Sequence, residues 1–195
     1  MIISKLKALI KGKARKKKFG SLKKASIPAS SKVLSEISVN PDVDLKTCSI
    51  EVGERSLVRG RISIEKNGAV LKIGSNTAIN NSLIVVSDNV TIGNNILISY
   101  DCLIMDHNGH STNPDERLKD LENVLKGKPK EWSVVKHAPV AIGDNAWIGT
   151  RAIIVKGVKI GKNSIISAGA VVVKDVPDNC IYGGNPAAKI GDIKL

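Results

Sequence analysis

The sequence predicts an all-β solenoid of short parallel strands, and two observations lead to that fold class. From residue 142 to residue 172 an aliphatic residue occupies every sixth position, at Ile142, Ile148, Ile154, Ile160, Ile166 and Val172. Neither the helical nor the strand period produces such a run, so six residues form one flat side and three sides close a triangular coil of about eighteen residues. Aromatic residues make up only 3% of the chain, which suits a narrow coil filled by Ile, Val, Leu and Ala.

The N-terminal segment, residues 1–30, is predicted to be a basic arm outside the solenoid. Residues 1–24 contain ten Lys or Arg and no acidic residue, so most of the formal charge of +12 lies there. Apolar residues fall on one face of a helix with lysines opposite, at Ile2, Ile3, Leu6, Leu9 and Ile10. A basic amphipathic segment favours peripheral contact with an anionic membrane surface. The alternative of a solvated, disordered tail stays open.

The solenoid itself is predicted to span residues 31–177, in about five coils. The six-residue spacing recurs upstream in three blocks, which are Val52, Val58, Ile64 and Val70; Ile73, Ile79 and Val85; and Val86, Ile92, Ile98 and Ile104. Each change of block is a slip of a few residues at a corner. Gly and Asn often follow the aliphatic position, because both tolerate the positive φ that tight corners require.

One long insertion, residues 106–139, interrupts the repeat. It is polar and contains a predicted helix from Pro114 to Leu125. A long loop inside a compact repeat is usually functional. Beyond the last coil, residues 178–195 are predicted to form a C-terminal cap, which solenoids need at their ends.

Composition excludes several classes of protein. We find no apolar run of the roughly 20 residues that span a bilayer and no signal peptide, so a cytoplasmic location is expected, with peripheral contact at the inner membrane face through the arm. Cys48, Cys102 and Cys180 lack metal-site spacing and are interpreted as reduced structural thiols. No aromatic platform accompanies the basic arm, which argues against nucleic-acid binding.

Four stretches carry a resemblance to a known family: residues 142–149, 157–164, 167–177 and 184–187. In combination they resemble the hexapeptide-repeat acyltransferases, and within them the sugar O-acetyltransferase group that includes maltose, galactoside and surface-polysaccharide acetyltransferases. The resemblance implies a left-handed parallel β-helix, a homotrimer, and acetyl-CoA bound in a cleft between neighbouring helices without a metal.

The resemblance also implies catalytic residues. His107, where the insertion leaves the coil, matches the family's catalytic histidine and would act as general base, with Asp106 beside it. Acyl transfer to a hydroxyl needs such a base because an alcohol is a poor nucleophile at neutral pH, and imidazole titrates in that range. His110 is the alternative base, or a substrate-binding residue, if the alignment is shifted. His137 is interpreted as a surface or interface residue.

For acetyl-CoA, the family pattern implies that two stretches line the pantetheine arm: Trp147, Gly149 and Thr150, and then Ala168 and Gly169. Trp147 has the alternative role of covering the outer face. Lys174 and Lys189 are expected to meet the CoA phosphates, although an extra alanine before Lys189 departs from the family pattern. The acceptor is expected near Asn80 or Asn81.

The function predicted is acetyl-CoA-dependent O-acetylation of a sugar hydroxyl on a glycan or glycan precursor, as in polysaccharide biosynthesis. Two alternatives stay open: N-acetylation of a nucleotide-linked amino sugar, and a non-catalytic scaffold trimer. A zinc-dependent branch of the fold, similar to carbonic anhydrases, needs a spacing of histidines that His107, His110 and His137 lack, so no metal site is predicted.

Overall fold

The computed structural model of the protein describes residues 18–194, and these residues wind into a three-sided parallel β-helix. The amphipathic face predicted at residues 2–10, with its membrane contact, lies outside the described residues, and of the basic arm predicted at 1–30 only residues 18–30 are described. Within the described range no helix is long and apolar enough to cross a membrane.

Strands are short, and between the first and the last of them the chain contains one α-helix. The strands are β1 (Lys24–Ser26), β2 (Lys32–Val33), β3 (Glu36–Val39), β4 (Ser49–Val52), β5 (Leu57–Ile64), β6 (Val70–Ile73), β7 (Ala78–Val86), β8 (Asn89–Ile92), β9 (Leu97–Ile98), β10 (Leu103–Met105), β11 (Val140–Ile142), β12 (Trp147–Ile148), β13 (Ile153–Ile154), β14 (Lys159–Ile160), β15 (Ile165–Ile166), β16 (Val171–Val172), β17 (Cys180–Gly183) and β18 (Ala188–Asp192). Helix α1 (Pro114–Leu125) lies between β10 and β11, and 3-10 turns cover Leu45–Thr47 and Trp132–Val134.

Three faces follow from the pairing. The first face stacks β1, β4, β6, β8, β11 and β14 in parallel. The second stacks β2, the start of β5, the start of β7, β9, β12, β15 and β17, and the third stacks β3, the ends of β5 and β7, β10, β13 and β16. Strands β5 and β7 are continuous around the corner between the second and third faces, where Gly60 and Asn81 adopt positive φ.

Residues 18–194 contain six complete turns, one more than the spacing of aliphatic residues indicates. The additional turn is the first, residues 24–39. Its strand β1 is exposed and contributes no inward residue to the six-residue spacing. Strand β1 nevertheless pairs in parallel with β4, so the helix begins at Lys24 and not at residue 31 as predicted. The arm is correspondingly shorter.

Inward side chains stack in columns, one residue from each turn. On the second face, pairing places Val58, Ile79, Ile98, Ile148 and Ile166 directly above one another, and each is almost fully buried. Burying one such side chain stabilises the fold by about 1.5–3 kcal/mol. The register passes from Ile98 to Ile148 without a shift, so the insertion leaves the column intact.

A column of asparagines forms the corner between the first and second faces. Asn76, Asn95, Asn145, Asn163 and Asn179 all have φ between 54° and 61°. Their amides bond along the column: Asn145 donates to Asn163 at 3.0 Å, and Asn163 donates to Asn179 at 2.7 Å. Asparagine is favoured there because it tolerates the left-handed conformation and supplies both a donor and an acceptor.

The C-terminal cap begins later than residue 178. Strand β17 pairs in parallel with β15 and so continues the second face into the predicted cap. The reason is that Cys180, a small residue, is buried at a corner of the helix, and its backbone N–H donates to Ser164 Oγ at 3.4 Å. Strand β18 then folds back antiparallel on β17 and covers the last turn.

Glycines at the end of the first face pack directly on the next turn, which can be tested at Gly74. A Cβ there would lie 2.5 Å from the carbonyl oxygen of Gly93, an atom that cannot move without the backbone. We expect Gly74→Ala to lower the free energy of unfolding by about 1–3 kcal/mol, the range typical of overpacking. Urea denaturation measures it, with Gly20→Ala as the control because no atom lies within 4 Å of its Cβ position. Equal stability of the two variants would contradict the packing argument.

Candidate active site

His107 lies at the neck of the insertion, directly after β10. An antiparallel bridge pairs it with His137, where the insertion returns. Two further backbone bonds close the neck: Asn108 N–H donates to Lys136 O at 3.0 Å, and Ala138 N–H donates to Asp106 O at 2.9 Å. The insertion is therefore a closed excursion from one corner, and His107 is held at its base with only 6% of its surface exposed.

Asp106 is fully buried, and its carboxylate points to the preceding turn instead of to the imidazole. It accepts hydrogen bonds from the backbone N–H of Ser87 at 2.8 Å, from Ser87 Oγ at 2.9 Å and from the backbone N–H of Asp88 at 2.8 Å. The predicted catalytic role beside His107 is thus not supported by a hydrogen bond between the two side chains. Asp106 instead fixes the corner that holds Asp88.

The imidazole of His107 is held on two sides. The backbone N–H of Gly109 donates to Nδ1 at 2.9 Å, and the indole of Trp132 packs edge-on with ring centroids 5.3 Å apart. Because Nδ1 accepts a hydrogen bond, the neutral ring carries its proton on Nε2. That Nε2 atom is buried and has no hydrogen-bond partner in the described part of the chain.

Several charged groups face this ring. Burial lowers the pKa of His107 below the ordinary 6.5, because desolvation disfavours the imidazolium. Lys130 and His137 lower the pKa further, whereas Asp106 and Glu65 raise it, and the net direction is down. The imidazole is therefore neutral at pH 7.

A polar rim lies beside the imidazole. Nε2 of His137 accepts a hydrogen bond from Lys66 Nζ at 3.2 Å, and Nδ1 of His137 lies 3.3 Å from Asp88 Oδ2. His137 was predicted to be a surface residue; it is exposed and belongs to this rim. The sequence alone did not identify Lys66 and Asp88 as partners of His137, since only the stacking of turns brings them together. It also did not identify Trp132, which the folding of the insertion places against His107.

His110, the alternative base or substrate ligand, lies on the far side of the loop. Its Nδ1 contacts Oδ2 of Asp120 on α1 at 2.5 Å, and more than half of its side chain is exposed. Lys130 Nζ reaches the same carboxylate oxygen at 3.3 Å. His110 is thus part of a cluster inside the insertion.

The residues predicted to line acetyl-CoA are brought together at another corner, between the second and third faces. Thr150 and Gly169 stack on successive turns, where Gly169 N–H donates to Thr150 O at 2.8 Å. Gly149 is pressed against the next turn, since a Cβ there would lie 2.6 Å from Ala168 N. Trp147 projects outward and is 49% exposed.

The two predicted phosphate ligands differ in their surroundings. Lys189 forms an ion pair with Asp192, with Nζ 2.6 Å from Oδ1, and this hydrogen bond raises the pKa of the ammonium. Lys174 is exposed.

A cavity of about 420 Å³ opens at the same corner, on earlier turns. Asn81, one of the two predicted acceptor residues, lines it together with Asp101, and the two side chains are hydrogen-bonded at 3.3 Å. Arg61 and Glu36 complete its charged wall. Asn80 is half-buried, and its amide donates to Ile98 O at 3.3 Å.

Within one chain this corner and His107 stand at opposite ends of the third face. The face is crossed by about five extended residues, which at about 3.3 Å per residue separate the two ends by roughly 15 Å. The residues predicted to bind acetyl-CoA and the predicted base are therefore not neighbours in a single copy of the chain.

Comparison with known proteins bears on this arrangement. The model of the "hexapeptide repeat of succinyl-transferase" family matches residues 139–174. The galactoside O-acetyltransferase of Escherichia coli is 33% identical over 149 residues, covering 76% of this chain and 66% of the relative. The chain belongs to the hexapeptide-repeat acyltransferase family.

Solved structures of similar fold agree with that membership. The polysialic-acid-specific acetyltransferase NeuO aligns over 88% of this chain and 76% of its own, with a TM-score of 0.65 and 24% identity. A galactoside acetyltransferase in complex with coenzyme A aligns over 89% of this chain and 66% of its own, with a TM-score of 0.55 and 24% identity. These likenesses concern the fold, and the predicted left-handed parallel β-helix is confirmed.

This hexapeptide-repeat chain spans between 49% and 66% of the length of four curated relatives, two of which are galactoside O-acetyltransferases. Over residues 18–194, no three His, Cys, Asp or Glu side chains converge as a metal site would require.

The buried carboxylate of Asp106 gives a testable expectation for stability. Asp106→Ala removes an acceptor from three donors at the corner of residues 87–88, and the buried N–H groups are left unsatisfied. We expect the free energy of unfolding to fall by about 3 kcal/mol or more, because bonds to a charged acceptor are the strong ones. Urea denaturation against Asp42→Ala, an exposed aspartate, provides the comparison. Equal midpoints for the two variants would show that the corner does not depend on Asp106.

Proposed function

We propose that the protein is an acetyl-CoA-dependent O-acetyltransferase that modifies a sugar hydroxyl of a glycan or glycan precursor. The observation that carries the proposal is the buried imidazole of His107, whose Nε2 has no partner in residues 18–194 and which lies beside a polar rim at the neck of the insertion. A group that accepts a proton near pH 7 is what acyl transfer to an alcohol requires. The names of the curated relatives support the acetyl group and the sugar acceptor.

The proposed reaction is direct transfer. The acceptor hydroxyl attacks the thioester carbonyl carbon of acetyl-CoA, the new C–O bond forms, and the C–S bond breaks with CoA thiolate as the leaving group. His107 takes the hydroxyl proton and returns it to the thiolate, so the products are the sugar acetyl ester and CoA. No cysteine is needed as a nucleophile; burial raises the pKa of the Cys102 thiol, which disfavours its thiolate.

The hydrogen bond from Gly109 restricts how His107 can act. While the Gly109 amide donates to Nδ1, the proton resides on Nε2 and the ring has no free lone pair. Base catalysis at Nε2 therefore requires this amide to turn away, so that the ring proton can move to Nδ1. Gly109 suits such a movement, because it has φ +78° and no atom lies within 4 Å of its Cβ position.

A second copy of the chain would complete the site. His107 lies about one face-width from the corner of Thr150 and Gly169, and from the cavity at Asn81. In a closed ring of copies, the corner of one protomer can face the insertion of the next. We therefore place acetyl-CoA between His107 of one protomer and the stacked glycine corner of its partner, in a homotrimer.

The base can be tested by substitution. We expect His107→Ala to lower kcat by roughly a hundredfold or more, the scale of losing a general base, while acetyl-CoA binding measured by calorimetry is retained. For the wild type, kcat/KM should fall as pH drops through the pKa of His107, at a midpoint below 6.5 because burial lowers that pKa.

The assay follows CoA release with hydroxyl and amino sugars in competition. If the amino sugar is acetylated in preference to the hydroxyl sugar, the proposed reaction is N-acetylation instead of O-acetylation. An unchanged rate in His107→Ala would remove the imidazole from the chemistry.

The shared site predicts complementation between two inactive variants. His107→Ala keeps the stacked corner, and Ala168→Trp blocks that corner while keeping the imidazole. Refolded together in equal amounts, random trimers should recover about a quarter of wild-type activity, because one interface in four combines both intact halves. No recovery from the mixture, with each variant trimeric by light scattering, would place the whole site in one chain.

A further inference from the structure

Helix α1 is attached to the rest of the protein through a buried carboxylate. Among its twelve residues only Asp120 is buried, at 4% exposure. The apolar side chains of the helix point outward instead and are more than half exposed; they are Leu118, Leu121, Val124 and Leu125. A polar contact, and not an apolar core, therefore sets the position of this helix.

Asp120 joins the two segments of the insertion that enclose the imidazole. Its Oδ2 contacts His110 Nδ1 at 2.5 Å and Lys130 Nζ at 3.3 Å. His110 follows Gly109, whose N–H is bonded to Nδ1 of His107. Lys130 Nζ lies 5.5 Å from the ring centroid of Trp132, which packs edge-on against the same imidazole.

We infer that Asp120 is a positioning residue, which fixes the orientation of His107 and holds its neutral ring in the Nε2–H form by anchoring Gly109 through His110 and Trp132 through Lys130. The inference deepens the proposed function and rests on it for its catalytic consequence. Its geometric part, the state of the imidazole, is independent of which reaction the protein performs.

The electrostatics of the cluster agree with an ionised anchor. Burial alone raises the pKa of the Asp120 carboxyl, but the hydrogen bonds from His110 and Lys130 outweigh it, and the pKa lies below its ordinary value. Its Oδ1 atom is buried without a hydrogen-bond partner among residues 18–194. A buried acceptor left unpaired lowers stability, so the cluster is better explained by positioning than by stabilisation.

Substitution by asparagine tests the anchor with little change in shape. In Asp120→Asn the carboxylate charge is lost, so the ion pairs with His110 and Lys130 are replaced by weaker hydrogen bonds to a neutral amide oxygen. Both walls of the imidazole are then loosened. Glu122→Gln is the matched control, because it makes the same change on the same helix at an exposed ion pair with Lys126.

Nitrogen-15 NMR of the histidine rings in the full chain reads the state of His107 directly. In the wild type and in Glu122→Gln we expect the pattern of an Nε2-protonated ring and a pKa below 6.5. In Asp120→Asn we expect a mixture of the two neutral forms. The pKa should also rise, since the ring gains solvent and Lys130 moves away while Asp106, Glu65 and His137 stay.

Kinetics supplies the catalytic part of the test. We expect kcat of Asp120→Asn to fall roughly tenfold or more, because a ring that is no longer held in place is misplaced for proton transfer, and this loss exceeds the gain from freeing Nε2 when Gly109 turns away. KM for acetyl-CoA should change less than about twofold. The acid limb of kcat/KM should move upward with the pKa of His107.

The outcomes separate the two ideas. If Asp120→Asn leaves the His107 spectrum and pKa unchanged, the positioning role is wrong, whatever the rates are. If the spectrum changes as expected but His107→Ala remains active, the positioning role stands and the proposed base is wrong. Should Asp120→Asn not fold, Lys130→Met releases only the Trp132 wall, and an unchanged His107 pKa in that variant would overturn the inference.

Discussion

Every turn of this protein must return to the same three corners, because the inward aliphatic side chains pack only when they stand in register with the turn below. The pairing of Ile98 with Ile148 and of Ile104 with Ile154 shows how strict this is, since the insertion lies between the two members of each pair along the chain. An extra residue within a face would shift this register. Additional residues are therefore accommodated only where the chain leaves and re-enters the helix at the same corner. Functional side chains are confined to corners and to what is inserted there.

That constraint explains why the site is divided. The corner of Thr150 and Gly169 offers a backbone surface on which successive turns lie close together, but it carries few groups for proton transfer. The neck of the insertion, in contrast, buries an imidazole among polar groups contributed by Glu65, Asp88 and Lys130. Since the two corners are separated by a face of fixed width, chemistry that needs both must join two copies of the chain.

The repeat made much of the fold accessible to sequence reasoning. The six-residue spacing identified the parallel β-helix, and the break in it identified the insertion and His107 at its edge. Strand β1, which starts the first turn, was missed because it is exposed and shows no inward aliphatic residue. Strand β17 was assigned to the cap because Pro177 interrupts the spacing. The role of Asp106 could not be predicted, since a carboxylate that bonds to the preceding turn looks, in sequence, like a partner of the adjacent histidine. Likewise, the residues next to Asp120 in the sequence do not indicate that its side chain contacts His110 and Lys130, ten residues away on either side.

The bridge between His107 and His137 has a consequence beyond catalysis. Because the insertion closes on itself at its neck, the length and composition of the loop beyond that point are uncoupled from the register of the solenoid. Changes in the loop beyond the neck therefore need not disturb the stacking of the turns. The neck holds His107 in the same position whatever the loop beyond it contains.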